Sequence, residues 1–324
     1  MKIFIDIGHP AHVHYFRNLI DKMSERGHIF FVVARDKEVT HKLLKRYNIN
    51  YVSRGKGGLG LWGKLLYLFK ANYKLYGLAK KFRPDIFLSF ASPYAAQVSY
   101  LMRKPHIAFN DTEHAKLGNL AFSYFSKVII TPSCFEKDFG GKHIRFKSYM
   151  ELSYLHPKYF NPNPSILKFL KIKESQKFIV VRFVSWEASH DIGYSGLSNE
   201  EKRTLIKQLS KRYKVFISSE SKLPQDLKKY QLNIPPEKIH QVLYYSSLFI
   251  GEGATMASES AMLGTPALYV NILEAGTCNE QEKKYKLLYN FRNGEGVLEK
   301  AQNILNDNDH SIWKIRREIL IKDF

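Results

Sequence analysis

GEGATMASESAMLGTPA, Gly251 to Ala267, reads as the end of one strand, a tight turn, a helix and the start of the next strand. The run Ser247-Leu-Phe-Ile250 before it is the end of a buried strand. Gly251 and Gly253 carry no Cβ, so the backbone can turn sharply and approach a ligand closely. Ala254 and Thr255 sit where a new helix should begin, so its unpaired N–H groups and positive dipole end would face an anion. Glu259, with Ser258 beside it, lies one turn further in, on the same face as Thr255. A carboxylate so close to a phosphate makes sense if it binds something else, and a ribose diol is the natural candidate. Gly264-Thr265-Pro266 then ends the helix, and Ala267–Val270 begins a strand. The alternative is an ordinary βαβ turn with no ligand.

Outward from this stretch, strands and helices alternate, which argues for parallel sheets. The expected strands of the first half are Lys2–Ile7, Ile29–Ala34, Tyr51–Val52, Ile86–Phe90, His106–Phe109 and Lys127–Thr131. Helices are expected at His14–Arg26, Lys37–Tyr47, Trp62–Phe82, Pro93–Met102 and Glu113–Phe125. The segment His156 to Ser175, with Pro157, Pro162 and Pro164, reads as a linker. It separates an N-terminal domain (1–157) from a C-terminal one (176–324), with 158–175 between. The second domain is expected to hold strands at Phe178–Val184, Val215–Ser218, Leu248–Ile250 and Ala267–Val270, with a helix at Asn199–Tyr213. At 324 residues, two domains of about 150 each are the natural division. The fold class is α/β, with two Rossmann-like domains facing across a cleft, and ligands in such sheets bind at the carboxyl ends of strands.

The chain has no run of 18 apolar residues, so no membrane span is expected. Asp6 and His9 come too early for a signal peptide's apolar core. The two cysteines, Cys134 and Cys278, fall in different expected domains and suggest neither a disulfide framework nor a zinc site. A cytoplasmic protein is expected.

GEGATMASESAMLGTP resembles the nucleotide-sugar motif in the C-terminal domain of glycosyltransferase-B fold proteins. That group includes UDP-N-acetylglucosamine 2-epimerases and the lipid-intermediate N-acetylglucosaminyltransferase of peptidoglycan synthesis. The N-terminal MKIFIDIGHPAHVHYFRNLI resembles more narrowly an uncharacterised prokaryotic family of that fold group, a domain of unknown function. The resemblance covers most of the chain and implies a nucleotide sugar, most simply a UDP-sugar, as co-substrate, with no further cofactor.

Five sites fall at strand ends. Gly8-His-Pro-Ala-His12-Val-His14 follows the first strand. Its histidines could hold a metal, but no Cys or carboxylate joins them locally. They could instead shape and cap a turn, or His12 could serve as general base toward an acceptor hydroxyl. In the peptidoglycan enzyme a glycine-rich turn ends in a histidine before the first helix, and His12 resembles that point. Asn110-Asp111-Thr112-Glu113-His114 follows the fifth strand. Asp111 would cap the next helix, or Asp111 and Glu113 would be catalytic, since the position resembles the epimerase segment whose carboxylate works on the sugar. The epimerases carry another acid after the preceding strand, where this chain reads Ser89-Phe-Ala-Ser92-Pro93.

The third site is Arg182 to Asp191, with Glu187 and His190. Arg182 lies inside an apolar strand, where a lone guanidinium would be costly, so a carboxylate or phosphate partner is expected. Ser218-Ser219-Glu220 and His240-Gln-Val-Leu243 complete the set, and both are candidates for contact with the nucleotide.

The formal charge of +20 should draw the chain toward anionic partners. From Arg54 to Pro84 there are eight Lys or Arg residues and no acid, interleaved with Trp62, Tyr67, Phe69, Tyr73, Tyr76 and Phe82. In a helix, Leu65, Phe69, Tyr73 and Tyr76 form one stripe. Such a stripe either faces an anionic membrane surface or turns into the core and leaves the lysines solvated. Nucleic acid is not expected, because no helix-turn-helix, zinc-finger or RNA-recognition signature is present. The sum is a metal-independent, nucleotide-sugar-dependent glycosyltransferase acting on a lipid-linked or glycan acceptor in cell-surface polysaccharide or glycolipid synthesis. The alternatives are a 2-epimerase-like isomerase or hydrolase, and a non-catalytic nucleotide-sugar-binding protein.

Overall fold

The computed structural model describes residues 1–58, 60–113, 115–184, 196–219, 221–307, 309 and 311–324, apart from the side chains of Leu61 and Lys116. The chain divides into two compact units, Met1–Tyr154 and Leu155–Phe324.

Among the described residues the first unit runs β1 (Lys2–Ile7), α1 (Pro10–Glu25), β2 (Ile29–Ala34), α2 (Thr40–Arg46), β3 (Tyr51–Ser53) and α3 (Gly60–Phe82). It continues β4 (Ile86–Phe90), α4 (Pro93–Leu101), β5 (His106–Phe109), α5 (Lys116–Ser123), β6 (Val128–Pro132) and β7 (His143–Phe146), and α6 (Leu152–Leu155) crosses the boundary. Its strands form a parallel sheet in the order β3-β2-β1-β4-β5-β6-β7. The reversal beside β1 is the switch point of a doubly wound sheet, where a crevice opens at the strands' carboxyl ends. β1, KIFIDI, is buried from Ile3 to Ile7, as a parallel strand covered on both faces must be. Phe4, Val33 and Phe87 of the sheet pack with Leu75 and Ala79 of α3 and Val98 of α4.

The second unit holds α7 (Ser165–Phe169), β8 (Phe178–Phe183), α8 (Asn199–Leu209), β9 (Lys214–Ser219), α9 (Ile239–Tyr245), β10 (Leu248–Gly251), α10 (Ala254–Met262) and β11 (Ala267–Val270). After these come α11 (Gly276–Glu280), β12 (Leu288–Phe291), α12 (Val297–Asn306) and α13 (Ser311–Lys322). Its parallel sheet has the order β12-β11-β10-β8-β9, again with the reversal in the middle. Ser198 opens α8 with a capping box, its hydroxyl bonding Glu201 N–H while the Glu201 carboxylate takes Ser198 N–H.

Differences from the sequence reading have local causes. α1 begins at Pro10, four residues early, because His9 Nδ1 accepts from Ala11 N–H and proline suits the first helical position. α5 begins at Lys116, not Glu113, so Asp111 is no helix cap. Asn110 folds the intervening loop instead: its amide donates to Asn119 Oδ1 at 2.9 Å and its carbonyl accepts from Thr112 N–H. β7 and β12 went unread because both are short and only partly buried, without an apolar run. The segment read as a linker belongs to the second unit, with Phe160, Ile166, Leu167 and Leu170 buried in it.

Candidate functional site

In the second unit the site grows from the β10–α10 turn. Gly251 must be glycine: a Cβ would fall 2.5 Å from the Phe249 ring and 3.2 Å from the Arg182 carbonyl. Gly253, the N-cap of α10, is different. Its φ of −105° suits any residue, and among the described residues no side chain caps the helix and nothing lies within 4 Å of where a Cβ would stand. Among the described residues nothing demands glycine at 253, next to the first-turn N–H groups of Ala254 and Thr255. A positively polarised helix start without a side-chain cap suits an anion.

Arg182 stands beside this turn, paired in register with Gly251 on one side and Ser218 on the other. Its guanidinium donates to Ser218 Oγ at 2.9 Å. At the end of β9, the buried Oγ atoms of Ser219 and Ser221 have no hydrogen-bond partner among the described residues. Buried hydroxyls left so are uncommon and point to a missing partner. Glu220, between them, and Glu187, His190 and Asp191 lie outside the described residues.

Three of the candidates turn inward. Glu259 is 4% exposed, and its Oε1 lies 2.9 Å from Nε2 of His240, itself 4% exposed. Two residues proposed on separate elements thus form one buried pair between α9 and α10. Ser258 is also buried, accepting from Gln281 Nε2 at 2.9 Å, so it faces the packing of α10 and not open space.

Glu252, between the two glycines, was not singled out in the sequence. Its carboxylate is buried, accepts from Val184 N–H at 3.0 Å and Leu197 N–H at 3.2 Å, and pairs with Lys202 Nζ at 3.0 Å. It therefore ties both flanks of residues 185–195 to the carboxyl end of β10. Gly196 completes the fit, since a Cβ there would stand 2.4 Å from the Val270 carbonyl.

In the first unit the carboxyl end of β1 carries a buried ion pair. Asp6 accepts from Arg54 Nε at 2.8 Å and from Ser92 Oγ at 2.5 Å. Burial opposes the charge on Arg54, but Asp6 and Tyr67 outweigh it and raise its pKa. Arg54 also donates to Tyr67 Oη at 2.6 Å and lies over the Tyr94 ring at 4.5 Å. Ser92, at the place where the 2-epimerases carry an acid, caps α4. The nearby carboxylate, Asp6, is committed to Arg54.

The three histidines above this pair do separate work. His9 caps α1, and His14 is a core residue stacked on Tyr154 at 5.3 Å. Among the described residues no group of three His, Cys, Asp or Glu side chains converges to hold a metal. His12 Nδ1 accepts from Gly8 N–H at 3.3 Å, so the neutral ring carries its proton on Nε2. Burial, then the neighbouring His9, Lys37 and Arg54, hold its pKa well below the usual histidine range. In this form His12 presents an N–H donor at Nε2. Gly8 is not forced by sterics, its absent Cβ having only ordinary contacts with Arg54 and His12.

Asp111 shares this end of the sheet. Tyr15 Oη donates to its Oδ2 at 3.3 Å and Thr112 Oγ1 to its Oδ1 at 3.0 Å. Burial raises its pKa, with those hydrogen bonds acting against the rise. Tyr15 and His12 are both packed on the Phe90 ring, at 4.9 and 4.7 Å, so His12 and Asp111 border one aromatic wall. Glu113 is half-buried on the same loop, whose backbone is held by Asn119. Tyr15 was legible in principle, one helical turn after His12 on the same face.

Two Rossmann-like domains with these sheet orders define a glycosyltransferase-B fold, and solved structures agree. The UDP-GlcNAc 2-epimerase of Neisseria meningitidis bound to UDP-GlcNAc superposes with a TM-score of 0.72 at 13% identity, over 99% of this chain and 100% of that one. SsfS6, a glycosyltransferase of Streptomyces sp. SF2575, gives 0.60 at 13% identity, over 100% and 95%. The chain belongs to the family described as protein of unknown function DUF354, whose model matches residues 1–312. It is also 28% identical over 278 residues to the uncharacterized protein MJ0665 of Methanocaldococcus jannaschii, covering 83% of this chain and 81% of that protein.

Proposed function

We propose that this protein is a nucleotide-sugar-dependent glycosyltransferase, using a UDP-sugar, in the synthesis of a cell-surface polysaccharide or glycolipid on the cytoplasmic side of the membrane. The observation that carries the reading is the start of α10, which no described side chain caps and no described residue crowds at Gly253, with Arg182 beside it. The donor diphosphate sits on the N–H groups of Ala254 and Thr255, Arg182 neutralises it, and Glu259, oriented by His240, meets the ribose. Ser219 supplies a further hydroxyl toward the nucleotide.

Transfer forms a bond from an acceptor oxygen to the anomeric carbon and breaks the bond from that carbon to the diphosphate. The acceptor proton passes to a carboxylate. Asp111 is the better base, because burial makes its carboxylate more basic than an exposed one, and Glu113 stands on the same loop. His12 donates from Nε2 to a substrate oxygen. Charge on the leaving nucleoside diphosphate is met by the helix start and the guanidinium, so this arrangement needs no divalent ion for that task.

A 2-epimerase-like reaction is the second reading, favoured by the UDP-GlcNAc 2-epimerase likeness and by a carboxyl of raised pKa next to a tyrosine. Ser92 in place of an acid argues against it. Incubation with UDP-GlcNAc and other UDP-sugars separates the readings. A transferase releases UDP only when a suitable acceptor is added, whereas epimer or free sugar without acceptor would overturn the transferase assignment.

A further inference from the structure

α3 resolves the choice between a core-facing and an outward aromatic stripe. Its inner face is Tyr67, Ala71, Leu75 and Ala79, all buried, with Leu75 and Ala79 packed against the sheet and α4. The stripe Trp62, Leu65, Leu66, Phe69, Tyr73 and Tyr76 lies on the opposite side, with Trp62 77%, Phe69 67% and Tyr73 85% exposed. At 100° per residue these six side chains fall within an arc of about 100°, one continuous apolar strip along the helix.

The neighbouring helices carry exposed apolar side chains as well. α4 packs against α3, and α5 against α4. Right-handed crossovers place all three on the same face of the sheet. Tyr100 on α4, Leu120 on α5 and Tyr124 just beyond it are also exposed. Soluble proteins seldom present this much contiguous apolar surface without a partner.

Charge identifies the partner. Exposed Lys70, Lys74 and Lys81 follow one flank of the strip, with Lys64 and Lys80 near its ends. Between residues 54 and 135 there are 12 Lys or Arg against three acids, Asp85, Asp111 and Glu113. Of these, Asp111 is engaged with Tyr15 and Thr112, and Asp85 accepts from the Lys2 backbone. A face that is apolar along its crest, basic on its flank and almost without acid matches an anionic bilayer, which offers hydrocarbon beneath a negative surface.

We propose that the α3–α4–α5 face docks the first unit on an anionic lipid bilayer, with Trp62, Phe69 and Tyr73 entering the interface and the lysines meeting phosphate headgroups. The surface stands apart from the sugar chemistry and does not depend on it. Tyr67, on the buried side of α3, bonds Arg54 beneath the Gly8–His12 turn, so the docked helix is also the one that braces that site.

The test is co-sedimentation of the full chain with vesicles of phosphatidylcholine, alone or mixed with phosphatidylglycerol. Wild type should partition at least tenfold more strongly onto the anionic vesicles, since each lysine near such a surface contributes about fivefold. High salt should remove most of the preference. The triple variant Trp62→Ser/Phe69→Ser/Tyr73→Ser should lose tenfold or more in partitioning with an unchanged thermal midpoint, because all three side chains are exposed. Lys70→Glu/Lys74→Glu/Lys81→Glu should abolish the anionic preference. Equal, negligible binding of wild type to both vesicles at low salt overturns the proposal. So does a wild-type dimer that the apolar variant dissolves while vesicles leave the protein in the supernatant, which would make this face a contact between copies of the chain.

Discussion

His240 Nε2 lies 2.9 Å from Glu259 Oε1, and both side chains are almost wholly withdrawn from solvent. The bond holds one carboxylate oxygen of Glu259, so in the proposed donor site that carboxylate would meet a ribose as a pre-set acceptor. Glu259→Gln keeps the shape but changes the charge, and should weaken UDP-sugar binding by about 1–3 kcal/mol, the range for hydrogen bonds to charged groups. His240→Ala should weaken binding in the same direction and also lower the unfolding midpoint, since it leaves a buried carboxylate without this partner. Calorimetric titration and urea unfolding on both variants check the pair. Full affinity in both would make Glu259 purely structural.

In the proposed reaction Asp111 is the base and His12 a hydrogen-bond donor. Asp111→Asn should lower turnover by about 10²–10⁴ while leaving nucleotide affinity intact. Burial raises the Asp111 pKa, so its ionisation works against folding: the native-state advantage is complete below the unfolded carboxyl pKa and is lost as pH rises through the folded one. Asp111→Asn should therefore be neutral or stabilising at neutral pH. A variant that is both inactive and clearly less stable at that pH would count against this assignment.

His12 should leave no mark of its own near neutrality in the pH–rate profile, because its pKa is held well below the ordinary value. A limb in kcat near the usual histidine pKa that disappears in His12→Gln would restore it as a base.

Acid should weaken the first unit through its neutral histidines. His106 is pushed down to about 3 by burial. It is held between Ser89 Oγ and Ser126 Oγ, each at 2.9 Å. Its folded pKa is depressed, so the stability it contributes is present above the unfolded value and is lost as pH falls from there toward about 3. Within that window one such histidine removes about 1.4 kcal/mol per pH unit. Unfolding free energies from urea titrations should be lower at about pH 5 than at about pH 7 by about 2 kcal/mol, and a flat profile would contradict it.

Glu252 should be among the costliest single positions in the second unit. Glu252→Ala removes the carboxylate paired with buried Lys202 and the acceptor of two backbone N–H groups, for an expected loss of about 3–5 kcal/mol. Lys202→Met, which leaves the backbone contacts of Glu252 in place, should cost less. Chemical denaturation of the two variants orders them.

Much of this was legible in the residues. IFFVVA and ALYV announce strands of a parallel sheet by unbroken apolar runs, KIFIDI by one that only Asp6 interrupts after its first residue, and GEGAT announces a strand-to-helix turn. HIRF and LYNF were not legible, because a short strand that buries little needs no hydrophobic pattern. The side on which α3 packs was also hidden. Both its faces are apolar, and only the sheet decides that the Ala71–Leu75–Ala79 side, with small residues that permit close approach, turns inward. At the sites, Arg182 stood out as a charge inside an apolar strand. Asp6 in KIFIDI carried the same signal, and its partner Arg54 was 48 residues away, beyond the reach of spacing. His12 was read by residue type, but its basicity depends on neighbours brought in by folding.

The measurement closest to the central claim is calorimetric titration of wild type and Gly253→Asp with UDP-GlcNAc and with UDP. Among the described residues nothing lies within 4 Å of where the new Cβ would stand, and φ at 253 is −105°. Aspartate is moreover a better N-cap than glycine by a few tenths of a kcal/mol, so the variant should fold at least as well as wild type. Its carboxylate would occupy the place assigned to the diphosphate. The account predicts saturable binding to wild type and none to Gly253→Asp, at an equal or higher unfolding midpoint. Equal affinity in the two proteins, or no binding of either nucleotide to wild type, would contradict it.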